Sequence, residues 1–248
     1  KLGGVYNAFT SEEYTGYYAK VAAPHFETAL DWVSDIYFDS LLPKKEIEKE
    51  RGVIIEEINM YLDTPMIYIG ELWKTLLYGN QPAGWDIAGT KKTVSKITRE
   101  QILDYMKSQY VASNTIVCIA GNISLPQAIN KIKNCFFGIS KTQPKSKPPV
   151  IDASVSSALI VEKQEKPKTL LFSKKTDQTH LALGVRAFNL FHPQKFTLNV
   201  LGIILGGMMS SRLFVEIRGK LGLAYYVKTE VECDPDTGYL VTNAGIDN

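Results

Sequence analysis

Glu50 and Glu57, in the run Glu50-Arg51-Gly52-Val53-Ile54-Ile55-Glu56-Glu57, are the residues of this chain whose type and spacing most suggest chemistry. At about 100° per residue, Ile47, Ile54, Ile58 and Tyr61 share one arc of a helix. Glu50 and Glu57 fall beside Ile54 and Tyr61 on that arc, while Glu48 and Glu56 fall on the opposite side. Desolvating an ionised carboxylate is costly unless it is paired or binds a metal, so two on an inward face call for a cation or a shared proton. The same spacing also suits carboxylates at the margin of an apolar stripe that reach back to water, and ion-paired helix edges are commoner than metal sites. Spacing alone leaves both readings open.

The elements that would position these groups are legible in outline. Val5 to Thr10 and Thr15 to Val21 read as two strands of an antiparallel hairpin around Ser11-Glu12-Glu13. After Pro24, the apolar period of Phe26, Ala29, Leu30, Val33 and Ile36 predicts a helix to about Phe38. Pro43 opens the glutamate-bearing helix, Asp63-Thr64-Pro65 ends it near Leu62, and another helix spans Met66 to Tyr78 with Trp73 as a core residue. Gly79 to Gly89 is a loop, and Thr98-Arg99-Glu100-Gln101 is a capping box starting a helix that ends near Tyr110. Thr115 to Ala120 reads as a continuous buried strand, and Leu125 to Phe137 as a helix. The Pro-, Ser- and Lys-rich stretch within 140–157 has no apolar period and reads as a linker. Beyond it, Thr169 to Lys174 and His180 to Arg186 are strand-like, Pro193 to Leu205 and Ser210 to Lys220 helical, and Leu223 to Cys233 and Tyr239 to Ala244 strand-like. The expectation is an α+β fold of two tandem domains of one type, each an antiparallel or mixed sheet packed with helices and both truncated: residues 1–139, the linker 140–157, and residues 158–248.

Composition narrows the function classes. The chain has 248 residues, 45% hydrophobic and 22% charged, with a net charge of +2 from interspersed acids and bases. No basic stripe argues for nucleic acid or an anionic membrane, and no apolar run approaches the ~18 residues of a membrane span. Cys118, Cys135 and Cys233 are far apart and form no CxxC, which argues against a zinc knuckle or disulfide framework. Neither the charged nor the apolar region of a signal peptide opens the chain, and a soluble, cytoplasmic protein is the expectation, its compartment otherwise unknown. Gly206-Gly207 before Ser210-Ser211 lacks the Gly-Lys-Ser/Thr ending of a phosphate loop and reads as a helix cap.

In this layout the chain resembles the pitrilysin-type (M16) zinc metallopeptidases over nearly its whole length. Gly4 to Ser11 with Tyr17-Tyr18 is similar to the family's edge strand and its partner, and Glu50 to Glu57 to its E-R-x-V-I-x-x-E segment. Gly89-Thr90, Ile97-Thr98, Asn114 and Gly121-Asn122 follow in family order, and Gly206 to Phe214 and Arg218 to Tyr225 resemble the start of its second repeat domain.

The resemblance implies a zinc-dependent endopeptidase in the intact parent. Zinc there would be held by two histidines of an H-x-x-E-H motif and by a later glutamate, which Glu57 matches, while Glu50 matches a carboxylate that orients a ligand or helps relay a proton. Two imidazoles and one carboxylate leave a tetrahedral position for an activated water. The resemblance makes Arg218 and Tyr225 donors to substrate and oxyanion, against the plainer reading of an arginine at a helix C-terminus and a tyrosine packed on a strand. It makes Asn7, Ala8 and Phe9 an edge that pairs with an extended peptide. The chain departs from the family in having no H-x-x-E-H: His25, His180 and His192 are isolated, His25 reading as a surface or cap residue at a helix start and the other two as structural. The family motif lies some tens of residues upstream of the stretch matching Lys1 to Thr10, so the expectation is an internal fragment, inactive alone and binding no zinc, from a parent that takes a peptide or unfolded protein substrate and pairs with a second M16-like subunit or a copy of itself. The alternative is a non-catalytic M16-like partner subunit or peptide-binding scaffold.

Overall fold

The computed structural model describes residues 2–136, 160–162 and 164–247. Two compact units result, the first taking in Lys1–Ile55 and Ile87–Val150 and the second Glu56–Asp86 and Ile151–Asn248, in each case through their described residues. The expected linker at 140–157 lies outside the described residues. Helices and antiparallel sheets make the chain α+β, as its alternating periods require.

In the first unit, β1 (Val5–Thr10) and β2 (Thr15–Lys20) form the hairpin, in register from Val5 opposite Lys20 to Thr10 opposite Thr15. Phe9 lies over Gly16, its cross-strand partner, so closely that a Cβ at Gly16 would stand 2.3 Å from Phe9 Cζ. Helix α1 (Phe26–Phe38) carries Tyr37, whose ring stacks on Tyr110 at 4.6 Å. Half-buried hydroxyls here are paired: Tyr17 and Tyr110 share a 2.8 Å bond, and Tyr37 donates to Thr115, which itself donates to the Val111 carbonyl. Burial pushes the Tyr37 and Tyr110 phenols up, so both stay neutral donors. Helix α2 (Lys44–Leu62) belongs to this unit as far as Ile55; the unit also holds the short α4 (Lys91–Val94) and α5 (Arg99–Gln109), which has the predicted capping box between Thr98 and Gln101. Helix α6 (Leu125–Phe136) is tied to α1 by the ion pair of Lys131 with Glu27 at 2.6 Å.

One expectation fails in this unit. Thr115 is extended and exposure alternates residue by residue from Thr115 to Ala120, as along a strand, but the run belongs to no sheet among the described residues, and Ile116 is 88% exposed. An apolar, β-branched run favours the extended backbone, but a strand exists only where a neighbour supplies hydrogen bonds, and none of the described residues does so here.

In the second unit, β3 (Gln178–Arg186), β5 (Gly238–Asp247) and β4 (Ala224–Cys233) form an antiparallel sheet with β5 in the centre. Val241 and Ala244 are an odd number of residues apart on β5 and so point to opposite faces. Trp73, Leu77 and Tyr78 of α3 (Pro65–Tyr78) bury Val241 on one face, while Leu213 and Ile217 pack on Ala224, Val227 and Ala244 on the other. Gly184 lets α3 approach: a Cβ there would stand 2.8 Å from Trp73 Cζ2 and 2.2 Å from the Leu240 carbonyl. Helix α7 (Lys195–Gly202) continues as a π turn over Ile203–Gly207, where Gly206 lies against Thr229 of β4, 2.2 Å from its Oγ1 if a Cβ were added. That close packing, and no phosphate loop, is what the paired glycines serve. Helix α8 (Phe214–Lys220) is also of π type. Thr169 to Lys174 is no strand, and Phe172 meets Tyr68 edge-on at 5.2 Å instead. No helix among the described residues is long and apolar enough to cross a membrane.

His180 on β3 carries a pH dependence. Its Nδ1 is 2.9 Å from the Tyr226 hydroxyl, and burial lowers its pKa from the ordinary 6.5 while raising that of Tyr226. A neutral imidazole therefore meets a neutral phenol, and the imidazole tautomer sets which of the two donates. As pH falls below 6.5 the unfolded chain takes up a proton at His180 before the folded sheet does, so this contribution is complete above 6.5 and is lost on acidification. Urea unfolding across pH 5 to 8 is expected to show a stability decline on the acid side that His180→Gln makes shallower; an identical slope in the variant excludes this assignment.

Candidate active site

Helix α2 carries both glutamates, and its apolar arc is as predicted, with Ile58 buried and Ile47, Ile54 and Tyr61 half-buried. The two carboxylates are nevertheless exposed, about 10 Å apart along the axis at 1.5 Å per residue. In this chain neither bears the desolvation penalty that an inward position would impose. Glu57 accepts a 2.9 Å hydrogen bond from Tyr61 one turn on, and that bond raises the phenol's pKa. Glu50 makes no hydrogen bond or ion pair among the described residues. Between them, Arg51 is fixed: its guanidinium meets Glu48 at 3.0 Å and donates to the carbonyls of Val94 and Ile97, holding α2 against the turn between α4 and α5.

Arg218 and Tyr225 are brought together. Arg218, on α8, lies over the Phe214 ring at 4.9 Å and over the Tyr225 ring at 5.6 Å, with no acid partner among the described residues. The pairing of β4 with β5 slips here, Ala224 standing opposite Ile246 and Tyr226 opposite Gly245, so Tyr225 is the extra residue of a bulge. Ala224 and Val227 thereby both stay buried while Tyr225 leaves the ladder, 72% exposed. A guanidinium can only donate and a phenol can donate, and donors held in place are what a developing oxyanion needs.

Asn7, Ala8 and Phe9 are exposed on β1, which pairs with β2 alone. The Ala8 amide donates to the Asn7 side chain at 2.9 Å, and Phe9 meets Tyr14 edge-on.

Sequence reading missed two of these partners and the bulge. Tyr61 and Phe214 stand four residues from Glu57 and Arg218, a spacing that signals contact on a helix. The bulge at Tyr225 had no signal, because it arises from register with β5.

The donor set does not fit zinc. No three His, Cys, Asp or Glu side chains converge among the described residues. His25 lies in the turn that precedes α1, His180 is engaged with Tyr226, and His192 stacks on Phe188 at 3.8 Å while its Nδ1 accepts from the Gln194 amide. Glu57 is one carboxylate on its own.

Comparison with known proteins decides the family. A model described as Insulinase (Peptidase family M16) matches residues 1–91, and one described as Peptidase M16 inactive domain matches residues 96–248. The chain belongs to peptidase family M16. Among M16 relatives it is 36% identical to the uncharacterized zinc protease YmxG of Bacillus subtilis over 246 residues, covering 99% of this chain and 57% of that protein. It is 34% identical to the uncharacterized zinc protease ML0855 of Mycobacterium leprae, covering 96% of this chain and 52% of the other. The chain thus spans little more than half the length of these relatives. A protease from Helicobacter pylori shares the fold with a TM-score of 0.84 at 21% identity, over 99% of this chain and 58% of that one. Pitrilysin shares it at 0.68 and 18% identity, over 98% of this chain and 26% of that one.

Proposed function

We propose that these 248 residues are part of a zinc-dependent endopeptidase, and that in the longer protein Glu57 supplies one carboxylate to a metal held otherwise by groups outside them. Glu50 is then a positioning group, and β1 at Asn7 to Phe9 is an edge for an extended peptide or unfolded protein substrate. A second M16-like subunit, or a copy of the same protein, would close the substrate chamber. The observation that carries the reading is the Arg218–Tyr225 pair: a guanidinium without an acid partner among the described residues, 5.6 Å from the ring of a tyrosine that a bulge lifts out of its sheet. A residue kept for packing alone would not need to leave the ladder. The relatives' printed names, zinc protease, point the same way. The test is peptide hydrolysis by the longer protein with and without chelator, and with Arg218→Ala. Loss of one preorganised donor to the oxyanion is expected to lower kcat about 10²-fold with little change in KM. Activity indifferent to chelator rejects the metal reading, and an unchanged kcat in the variant removes Arg218 from the site.

A second reading is a non-catalytic partner subunit or scaffold, favoured by the description of the matched model over residues 96–248 as an inactive domain. It predicts no hydrolysis by the longer protein at any zinc concentration.

A further inference from the structure

The first unit contains an open groove of about 930 Å³ whose construction identifies what it takes. One wall is the whole of β2 and the other is the run from Thr115 to Ile123. Side chains of a strand alternate between faces, so a wall made of consecutive residues is a backbone edge. Among the described residues both edges are free: β2 pairs only with β1, and residues 116–120 make no backbone hydrogen bond. Yet the run starts extended at Thr115, φ −120° and ψ 131°, which is tied to Tyr37 and to the Val111 carbonyl, and its residues alternate in exposure through Ala120 as those of an extended chain do. Phe26, Ala29, Leu30 and Val33 of α1 give the floor between the walls an apolar stretch, and Glu27, Thr28, Gln127 and Lys131 also line the groove.

Two extended backbones that flank a partly apolar floor, each with unspent donors and acceptors, are the parts of a sheet with its middle missing. Backbone amides and carbonyls under that geometry are satisfied by polypeptide in the extended conformation. We infer that the groove is a strand acceptor, and that its occupant is extended polypeptide from the part of this same protein that lies outside the 248 residues. The length of the relatives favours that source, since 99% of this chain matches only 57% of the Bacillus subtilis protein, which carries further chain beyond the matched part. The need is local: a two-stranded hairpin is marginal alone, and added strands would join β2 and residues 116–120 in one sheet over α1. The inference does not depend on the proposed peptidase activity, since it concerns the folding of the unit.

Amide hydrogen exchange, residue by residue, tests it in the 248-residue chain and in the longer protein. In the short chain at low concentration the amides of 116–120 are expected to exchange at rates near those of an unfolded peptide. In the longer protein at least alternate amides of that run, and the β2 amides not bonded to β1, should slow by about 100-fold or more, alternation being the mark of pairing on one side. Fast exchange of 116–120 in the longer protein overturns the inference, as does equal protection in the dilute short chain. Protection of the short chain that grows with its concentration identifies a second copy as occupant and overturns the assignment to the same protein.

Discussion

Glu57→Gln in the longer protein is expected to lower peptide hydrolysis by at least 100-fold and to reduce its bound zinc, while leaving the stability of the 248-residue chain unchanged to within about 0.5 kcal/mol. The substitution keeps shape and an acceptor for the Tyr61 hydroxyl, now 2.9 Å from Glu57 Oε1, so only the charge is removed. Because the carboxylate is exposed in these residues, no folding energy rests on it. Activity and stability therefore separate, which a structural role would not allow. Glu56→Gln is the control: that carboxylate is exposed on another side of α2 and accepts from Asn59 at 3.3 Å, and its loss should alter neither quantity. Full activity in Glu57→Gln would remove Glu57 from the site.

Trp73→Ala is expected to destabilise the second unit by about 3–5 kcal/mol, a large part of the 5–15 kcal/mol that holds a typical domain folded. Only 6% of the side chain is exposed; it fills the space above Gly184 and meets Tyr239 edge-on at 6.0 Å. Gly184 has no side chain with which to close the cavity, so little relaxation is available. Its buried Nε1–H has no hydrogen-bond partner among the described residues, which makes Trp73→Phe much milder, since the smaller ring removes an unsatisfied donor along with some packing. Urea unfolding monitored by circular dichroism measures both. A loss below 1 kcal/mol for Trp73→Ala would show that this cluster is not the core of the unit.

Much of the local structure was legible because it depends on neighbours in sequence. The hairpin, α1, the glutamate helix with its stop at Asp63-Thr64-Pro65, and the capping box at Thr98 and Gln101 all follow from periodicity and from short-range hydrogen bonds. Where a segment's state depends on distant partners, reading failed. Thr115 to Ala120 and Thr169 to Lys174 have strand composition and extended preference, but a ladder needs a second backbone and the described residues give neither one. The inward placement of Glu50 and Glu57 failed for the same reason: a helical wheel ranks the sides of a helix, and whether a flank is buried depends on what lies against it.

By itself the sequence determined the residue types that could do chemistry, their order along the chain, the apolar arc of α2 and membership of the M16 family through the spacing of its segments. Tertiary structure alone decided that Glu57 is exposed and bonded to Tyr61, that a register slip against β5 turns Tyr225 out toward Arg218, and that β2 and residues 116–120 leave a groove with two free backbone edges. The division has a physical origin. Periodicity, capping and turn chemistry act over a few residues and are written locally, whereas burial, strand register and unpaired edges are properties of segments meeting across the fold.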